Sequence, residues 1–284
     1  MISQGYDDEA RRRYWAEQMD AADLFMQKMA VHPVTECCEP MESLPVAAER
    51  AGVEVRFSEA KTAGGADRIF WIRQQLVPKV IAIAREMQRR GWVLKVEDAY
   101  RTEEIQRGLA FKENVFDAIL ARVRWELAGR TPTVQEMFRR VSVLVATCPK
   151  VGTHMSGSAL DISVLHHDGS EVARGGPYLE MSELTPMGSS FVSADAQRNR
   201  KEITALMARH GFAAYPWEFW HYSSGDAYFE HLSGSGKPGR YGAVHLQLPD
   251  GKVEPIPNPT APLHTEKDIQ DQIERSLNRL DGRP

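Results

Sequence analysis

His154 and Asp161 stand seven residues apart in VGTHMSGSALDISV, residues 151–164, with Gly157 and Ala159 between them. A neutral imidazole and a carboxylate are both good zinc ligands. Small residues between them let the backbone fold so that both side chains reach one point. A second stretch, FAAYPWEFWHYS at 212–223, places Glu218 three residues ahead of His221, with Trp220 beside it. A third, Tyr100-Arg101-Thr102, sets an arginine where a strand-like run gives way to a helix, a position that can face a cleft. Hydrolytic zinc chemistry needs three protein ligands and an open position for water, whose pKa the metal lowers to about 7. It also needs a carboxylate that is not a ligand to carry the proton, and a cation or donor for the oxyanion. His154, Asp161 and His221, then Glu218, then Arg101 are the parts on offer. Each has a plainer reading: a strand-end aspartate, an aromatic-core histidine, a surface carboxylate, a surface ion pair. The chain has no His-Glu-x-x-His, so the helical zinc-protease arrangement is excluded.

The elements that must position these residues follow from periodicity. Asp7–Met29 reads as a helix with Tyr14, Met19, Ala22, Phe25, Met26 and Met29 near one face. Val53–Phe57 alternates like a half-buried strand. Arg68–Arg90 reads as a helix from Ile69, Ile72, Leu76, Val80, Ile83, Ala84 and Met87, with Pro78 kinking it or starting a second segment. Trp92–Val96 is a strand that runs into Arg101. A long helix is expected over Glu103–Ala128, and Thr133 with Glu136 forms a capping box for another through Val145. Ala159–Leu165 is an apolar strand. His166-His167 before Asp168-Gly169 reads as an exposed turn rather than a ligand pair. Residues 175–191 form a long loop that could line the cleft. A helix capped by Ser193 or Asp195 runs to His210, with Ile203, Leu206 and Met207 inward. Beyond Leu246, the five prolines from Pro249 to Pro262 suggest an extended linker leading to an amphipathic helix, Glu266–Leu280. The expected organisation is therefore an N-terminal helical extension (1–66) packed on a core at 67–248, then a Pro-rich linker and helix (249–284).

Composition limits the partners. The chain has 284 residues, 42% of them hydrophobic and 26% charged, and a net charge of −4 with no basic block. No nucleic-acid partner is expected, and no apolar run is long enough for a membrane span. The start, MISQGYDDEARRRYW, lacks the apolar stretch of a secretory signal. A cytoplasmic location is expected, or a periplasmic one if a leader has been removed. Cys37, Cys38 and Cys148 are an odd number with two adjacent, which argues against a disulfide framework. The adjacent pair also lacks the spacer of a zinc knuckle. The N-terminal extension or the tail helix could serve a homo-oligomer contact.

His-x-x-Gly-x-Ala-x-Asp, followed about sixty residues later by Glu-x-Trp-His and preceded by Tyr-Arg-Thr, resembles the zinc D-alanyl-D-alanine peptidases. These comprise dipeptidases of the vancomycin-resistance type and related D,D-carboxypeptidases. The likeness spans roughly Arg68–Leu246, and Met187-Gly188 with Asn199-Arg200 lies closer to the dipeptidases. It implies an α+β fold, hedgehog/D,D-peptidase-like, in which a small antiparallel sheet flanked by helices carries the site. It implies one Zn2+ on His154, Asp161 and His221, Glu218 as general base, Arg101 as oxyanion stabiliser, and a small peptide substrate. Gly152, Thr153, Ser189, Ser190 and Trp220 are expected to contact that substrate. Two departures stand out. Gly152 replaces a usual serine, with Thr153 adjacent, and Val192 replaces an acidic residue that would hold a substrate ammonium. Glu180, Glu183 or Asp195 could substitute for the latter.

Overall fold

The computed structural model describes residues 7–282. Helix α1 (Asp8–Val31) is capped by Asp7 and buries Trp15, Met19, Ala22, Phe25, Met26 and Met29 along one face. It is followed by β1 (Met41–Ser43), α2 (Leu44–Ala51), β2 (Val55–Phe57), β3 (Trp71–Arg73), α3 (Val77–Arg89) and β4 (Trp92–Asp98). The helix expected over 68–90 is thus confined to its second half, where Pro78 starts a segment, one of the two alternatives expected of it. Trp71–Arg73 pairs antiparallel with β1, and α3 begins at Val77 with Pro78 in its first turn, where a missing N–H costs nothing. Arg73 explains the exchange. Its fully buried guanidinium meets both oxygens of Glu36 at 2.9 Å and the carbonyls of Ser156 and Glu39 at 2.6 and 2.8 Å. Tertiary pairing overrides an apolar spacing that suits a helix equally well.

The chain continues through α4 (Glu103–Ala110), α5 (Glu113–Glu126), α6 (Val134–Val145), β5 (Ala159–His166), α7 (Ala194–Arg209), β6 (Ala213–Ala214), β7 (His221–Ser223), α8 (Ala227–Leu232), β8 (Val244–Gln247), β9 (Lys252–Pro255) and α9 (Glu266–Leu280). The helix expected over 103–128 is divided at Lys112, which is extended. The break lets Phe111 pack at a tilt against His264 at 4.1 Å between ring centres, while Phe116, Ile119, Leu120 and Val123 turn into the core. The Thr133–Glu136 capping box forms as expected, and His166 and His167 are exposed. The stretch after Leu246 is not wholly a linker: β8 and β9 pair as a hairpin, and the Tyr100 hydroxyl donates to the Val244 carbonyl at 2.8 Å.

A mixed α+β architecture results. The principal sheet has the order β2-β4-β5-β7-β6, antiparallel throughout except for the β2–β4 edge. Side chains alternate across it. Leu160, Ile162 and Val164 face α3 and α7, joining Ile83, Met87, Ile203, Leu206 and Met207 in one apolar cluster, so Asp161 faces the other way. A bulge in β4 between Val96 and Asp98 shifts the register, leaving Val96 opposite Ile162 and Asp98 opposite Asp161. The extra residue turns Asp98 to the face that Asp161 occupies.

On that side, α1 packs with α6, α8 and Tyr215, and α9 inserts Ile269 and Ile273 among the apolar residues of α5 and α6. Most apolar residues of both terminal helices are therefore covered within the chain, whereas Leu24, Val31 and Leu280 stay exposed. The segment before residue 67 also gives the sheet its edge strand, β2. No helix among the described residues is long and apolar enough to cross a membrane.

Candidate metal centre and its cavity

Three strands bring the key residues together. The pairing sets Asp161 on β5 directly beside Asp98 on β4 and His221 on β7. His154 arrives from a short 3-10 turn, residues 153–156, that Gly157 ends in the left-handed conformation at φ 68°. A Cβ there would fall 2.2 Å from Met41 Cε, the flexible end of that side chain, so it is the backbone conformation that calls for glycine.

His154 Nε2 lies 3.2 Å from Asp161 Oδ1 and 3.2 Å from His221 Nδ1, and the latter pair are 2.9 Å apart. Tetrahedral zinc with ligand bonds of about 2.0–2.1 Å holds its ligand atoms roughly 3.3 Å apart, close to this triangle. The outer hydrogen bonds agree. His154 Nδ1 sits 2.5 Å from the Ala99 carbonyl, which only accepts, so Nδ1 carries the proton and Nε2 a lone pair. His221 Nε2 lies 2.9 Å from Thr153 Oγ1; donating there leaves its Nδ1 lone pair pointing at the other two atoms. Three lone pairs converging at this range repel unless a cation sits among them. Among the described residues, these three form the cluster of His, Cys, Asp and Glu side chains that could hold a metal ion.

The second oxygen of Asp161 accepts from Arg101 Nη2 at 3.2 Å and from the Tyr178 hydroxyl at 2.9 Å. Burial opposes the Asp161 charge, but His154 and His221 outweigh it and hold the carboxyl well below its usual range. Arg101 is pinned by Asp98 at 2.9 Å and by Gln106 at 3.3 Å. Burial disfavours its charge too, yet Asp98 and Asp161 more than compensate and raise its pKa. Arg68 approaches Asp98 at 2.6 Å, so that carboxylate is fully engaged.

Glu218 is held on the turn between β6 and β7 and presents Oε2 3.9 Å from His221 Nδ1, outside the triangle. Burial drives its pKa up to about 8; the attraction of His221 only partly counters this, and Asp161 adds to the rise. A consequence can be measured in the metal-free protein. The fold retains a proton that the unfolded chain releases near 4.5, so stability falls as the pH rises from about 4.5 through about 8. Urea unfolding across that range should show the decline, and Glu218→Gln should flatten it. A Glu218→Gln profile as steep as the wild type would show that another group is responsible.

A cavity of about 90 Å³ lies over the centre, with Gly152, Thr153, Trp220, Arg68, Gln106 and Tyr178 among its lining residues. The expected substrate contacts divide. Gly152, Thr153 and Trp220 line the cavity, although Thr153 has its hydroxyl on His221. Ser189 and Ser190 do not: Ser189 is buried with its hydroxyl on the Glu183 carbonyl, and Ser190 is exposed outside. Val192 packs beside Gly175, away from the cavity. Glu183 is paired with Arg11 and Arg122, Asp195 with Arg198, and Glu180 lines the neighbouring groove. Asp98, Arg68 and Tyr178 were not singled out in the sequence. The loop carrying Tyr178 was, but no periodicity picks out one of its side chains. Arg200 shapes that loop by donating to the carbonyls of Arg174, Leu184 and Pro186 at 2.6–2.8 Å.

Known proteins similar to this chain are peptidases by name. A D-alanyl-D-alanine dipeptidase of Synechocystis sp. is 29% identical over 152 residues, covering 48% of this chain and 61% of that protein. A D-alanyl-D-alanine dipeptidase of Enterococcus faecium is 32% identical over 71 residues, 25% of this chain and 35% of the relative. The chain thus spans less than two thirds of the length of either. The solved structure of a mutant vancomycin-resistance D,D-pentapeptidase, VanY, in complex with Zn(II) superposes with a TM-score of 0.33 at 17% identity, over 62% of this chain and 84% of that one. The Peptidase_M15 family model, described as D-ala-D-ala dipeptidase, matches residues 72–233, more than half of the sequence and every residue of the centre, and the chain belongs to that family.

Proposed function

We propose that the protein is a zinc peptidase that hydrolyses D-Ala-D-Ala or a closely related D-amino-acid dipeptide. The observation that carries this reading is the buried triangle of His154, Asp161 and His221 with an unligated carboxylate, Glu218, 3.9 Å from one corner. A purely structural metal has no use for that carboxylate. The three triangle residues would hold zinc, which when bound supplies Lewis acidity at the scissile carbonyl and lowers the pKa of water. Glu218 takes the proton of the attacking water and returns one to the leaving amine. Burial raises the carboxyl's affinity for a proton, and the positive charge of a bound zinc would oppose that rise and favour the ionised form that a base needs. Arg101, fixed by Asp98, offers a preorganised donor to the oxygen on which charge develops. Tyr178 donates to Asp161 and keeps the aspartate oriented.

Chelation should abolish hydrolysis and zinc should restore it. Assaying D-Ala-D-Ala beside its N-acylated analogue then sorts the alternatives. Turnover of the free dipeptide alone supports the dipeptidase reading. Turnover of the acylated peptide alone points to a D,D-carboxypeptidase or endopeptidase on longer peptides. Neither, with metal bound, leaves a non-catalytic zinc protein of this fold.

A further inference from the structure

The polar floor of the cavity is matched by an apolar rim. Leu109 on α4, Val115 on α5, Leu144 on α6, and Leu179 and Met181 on the loop before α7 line it, and none of the five is fully buried. Val115, Leu179 and Met181 are shared with the open groove alongside, so the rim is the junction through which the cavity meets solvent. Val115, Leu144 and Met181 also pack against the core beneath, so only Leu179 is openly exposed; five apolar side chains along one concave edge above a polar centre suit an apolar ligand group.

Leu179 is the most telling. It is 45% exposed and held at φ 66°, a conformation that a residue with a branched side chain rarely adopts. Both flanks are fastened. Tyr178 bonds to Asp161, and the Glu180 N–H closes a turn on the Pro177 carbonyl at 3.1 Å. Glycine would take this conformation freely, and the core gains little from a leucine so exposed. A second non-glycine residue of the cavity wall, Ala146, is also held at positive φ. Backbone strain of this kind gathers at ligand-binding sites.

We propose that this rim receives an apolar substrate side chain larger than a methyl group, beside the scissile bond, and that Leu179 determines the preference. This rests on the peptidase reading and narrows it: D-Ala-D-Ala would be cleaved, but a leucine-bearing D-dipeptide would be the better ligand.

Binding separates the two claims. Calorimetry on zinc-loaded Glu218→Gln protein, which retains ligand without turnover, compares D-Ala-D-Ala with D-Leu-D-Ala and D-Ala-D-Leu. One leucine dipeptide should bind about tenfold or more tightly than D-Ala-D-Ala. Adding Leu179→Gly, which relaxes the backbone, should remove most of that advantage while the melting temperature holds or rises. Equal binding of all three peptides, no binding of any, or an advantage untouched by Leu179→Gly overturns the proposal. If the leucine dipeptide binds as expected but the wild-type enzyme cleaves nothing, the peptidase reading fails and the rim assignment stands. If D-Ala-D-Ala is cleaved and is also the tightest ligand, the reverse holds.

Discussion

Glu218→Gln is expected to lower kcat/KM for dipeptide hydrolysis by about 10²–10⁴-fold while the zinc content stays at the wild-type level. Glutamine keeps the volume and most of the packing of the side chain but cannot accept and return a proton. The separation of the two readouts follows from position. Glu218 Oε2 stands 3.9 Å from His221 Nδ1, whereas the triangle atoms lie 2.9–3.2 Å from one another. Were Glu218 a fourth ligand, metal would be lost along with activity. The loss should fall on kcat more than on KM, because the proton transfer belongs to the transition state. Steady-state kinetics beside elemental analysis of the same sample gives both numbers. Metal-loaded Glu218→Gln protein working at the wild-type rate would remove Glu218 from the mechanism.

The candidate site was legible because its chemistry is local in sequence. His154 and Asp161 are spaced by small residues, Glu218 and His221 share one turn, and Arg101 sits at a strand end. That His221 lies beside Asp161 is a matter of strand pairing, which no spacing within either motif encodes. The same limit hid Asp98. Without the bulge, alternation along β4 would put it on the face of Val96, toward the core. Tyr178 and Leu179 belong to an irregular loop whose shape is imposed from outside by Arg200 on α7. The serines at 189 and 190 are residue types suited to a substrate, yet one is spent within the loop and the other is exposed and does not line the cavity. Among the elements, α6 and α7 followed from caps and periodicity. The 71–73 segment did not, since its apolar spacing suits a helix and only the burial of Arg73 against Glu36 decides for a strand. The β8–β9 hairpin was masked by the prolines around it.

Asp161→Asn should weaken zinc binding by more than the 10–100-fold that follows loss of an outer-shell partner, and should reduce hydrolysis to the background rate. The substitution is nearly isosteric, so the effect isolates charge and proton placement. Oδ1 completes the triangle, and Oδ2 accepts from Arg101 and Tyr178. An amide cannot serve both sides. With its oxygen toward the histidines, its NH2 confronts two donors; reversed, it aims hydrogens at the metal position. Arg101 keeps Asp98 as a partner, so the fold should survive, and circular dichroism should match the wild type. Tyr178→Phe supplies the scale. It removes one hydrogen bond to Oδ2 but leaves the triangle whole, and should remain within the 10–100-fold bracket. Competition with a chelator of known affinity ranks the three proteins. Equal zinc affinity for Asp161→Asn and wild type would mean that the ion, if it binds, is held elsewhere. The ordering wild type, then Tyr178→Phe, then Asp161→Asn is the one that a metal inside this triangle demands, because only the last variant alters an atom facing the ion.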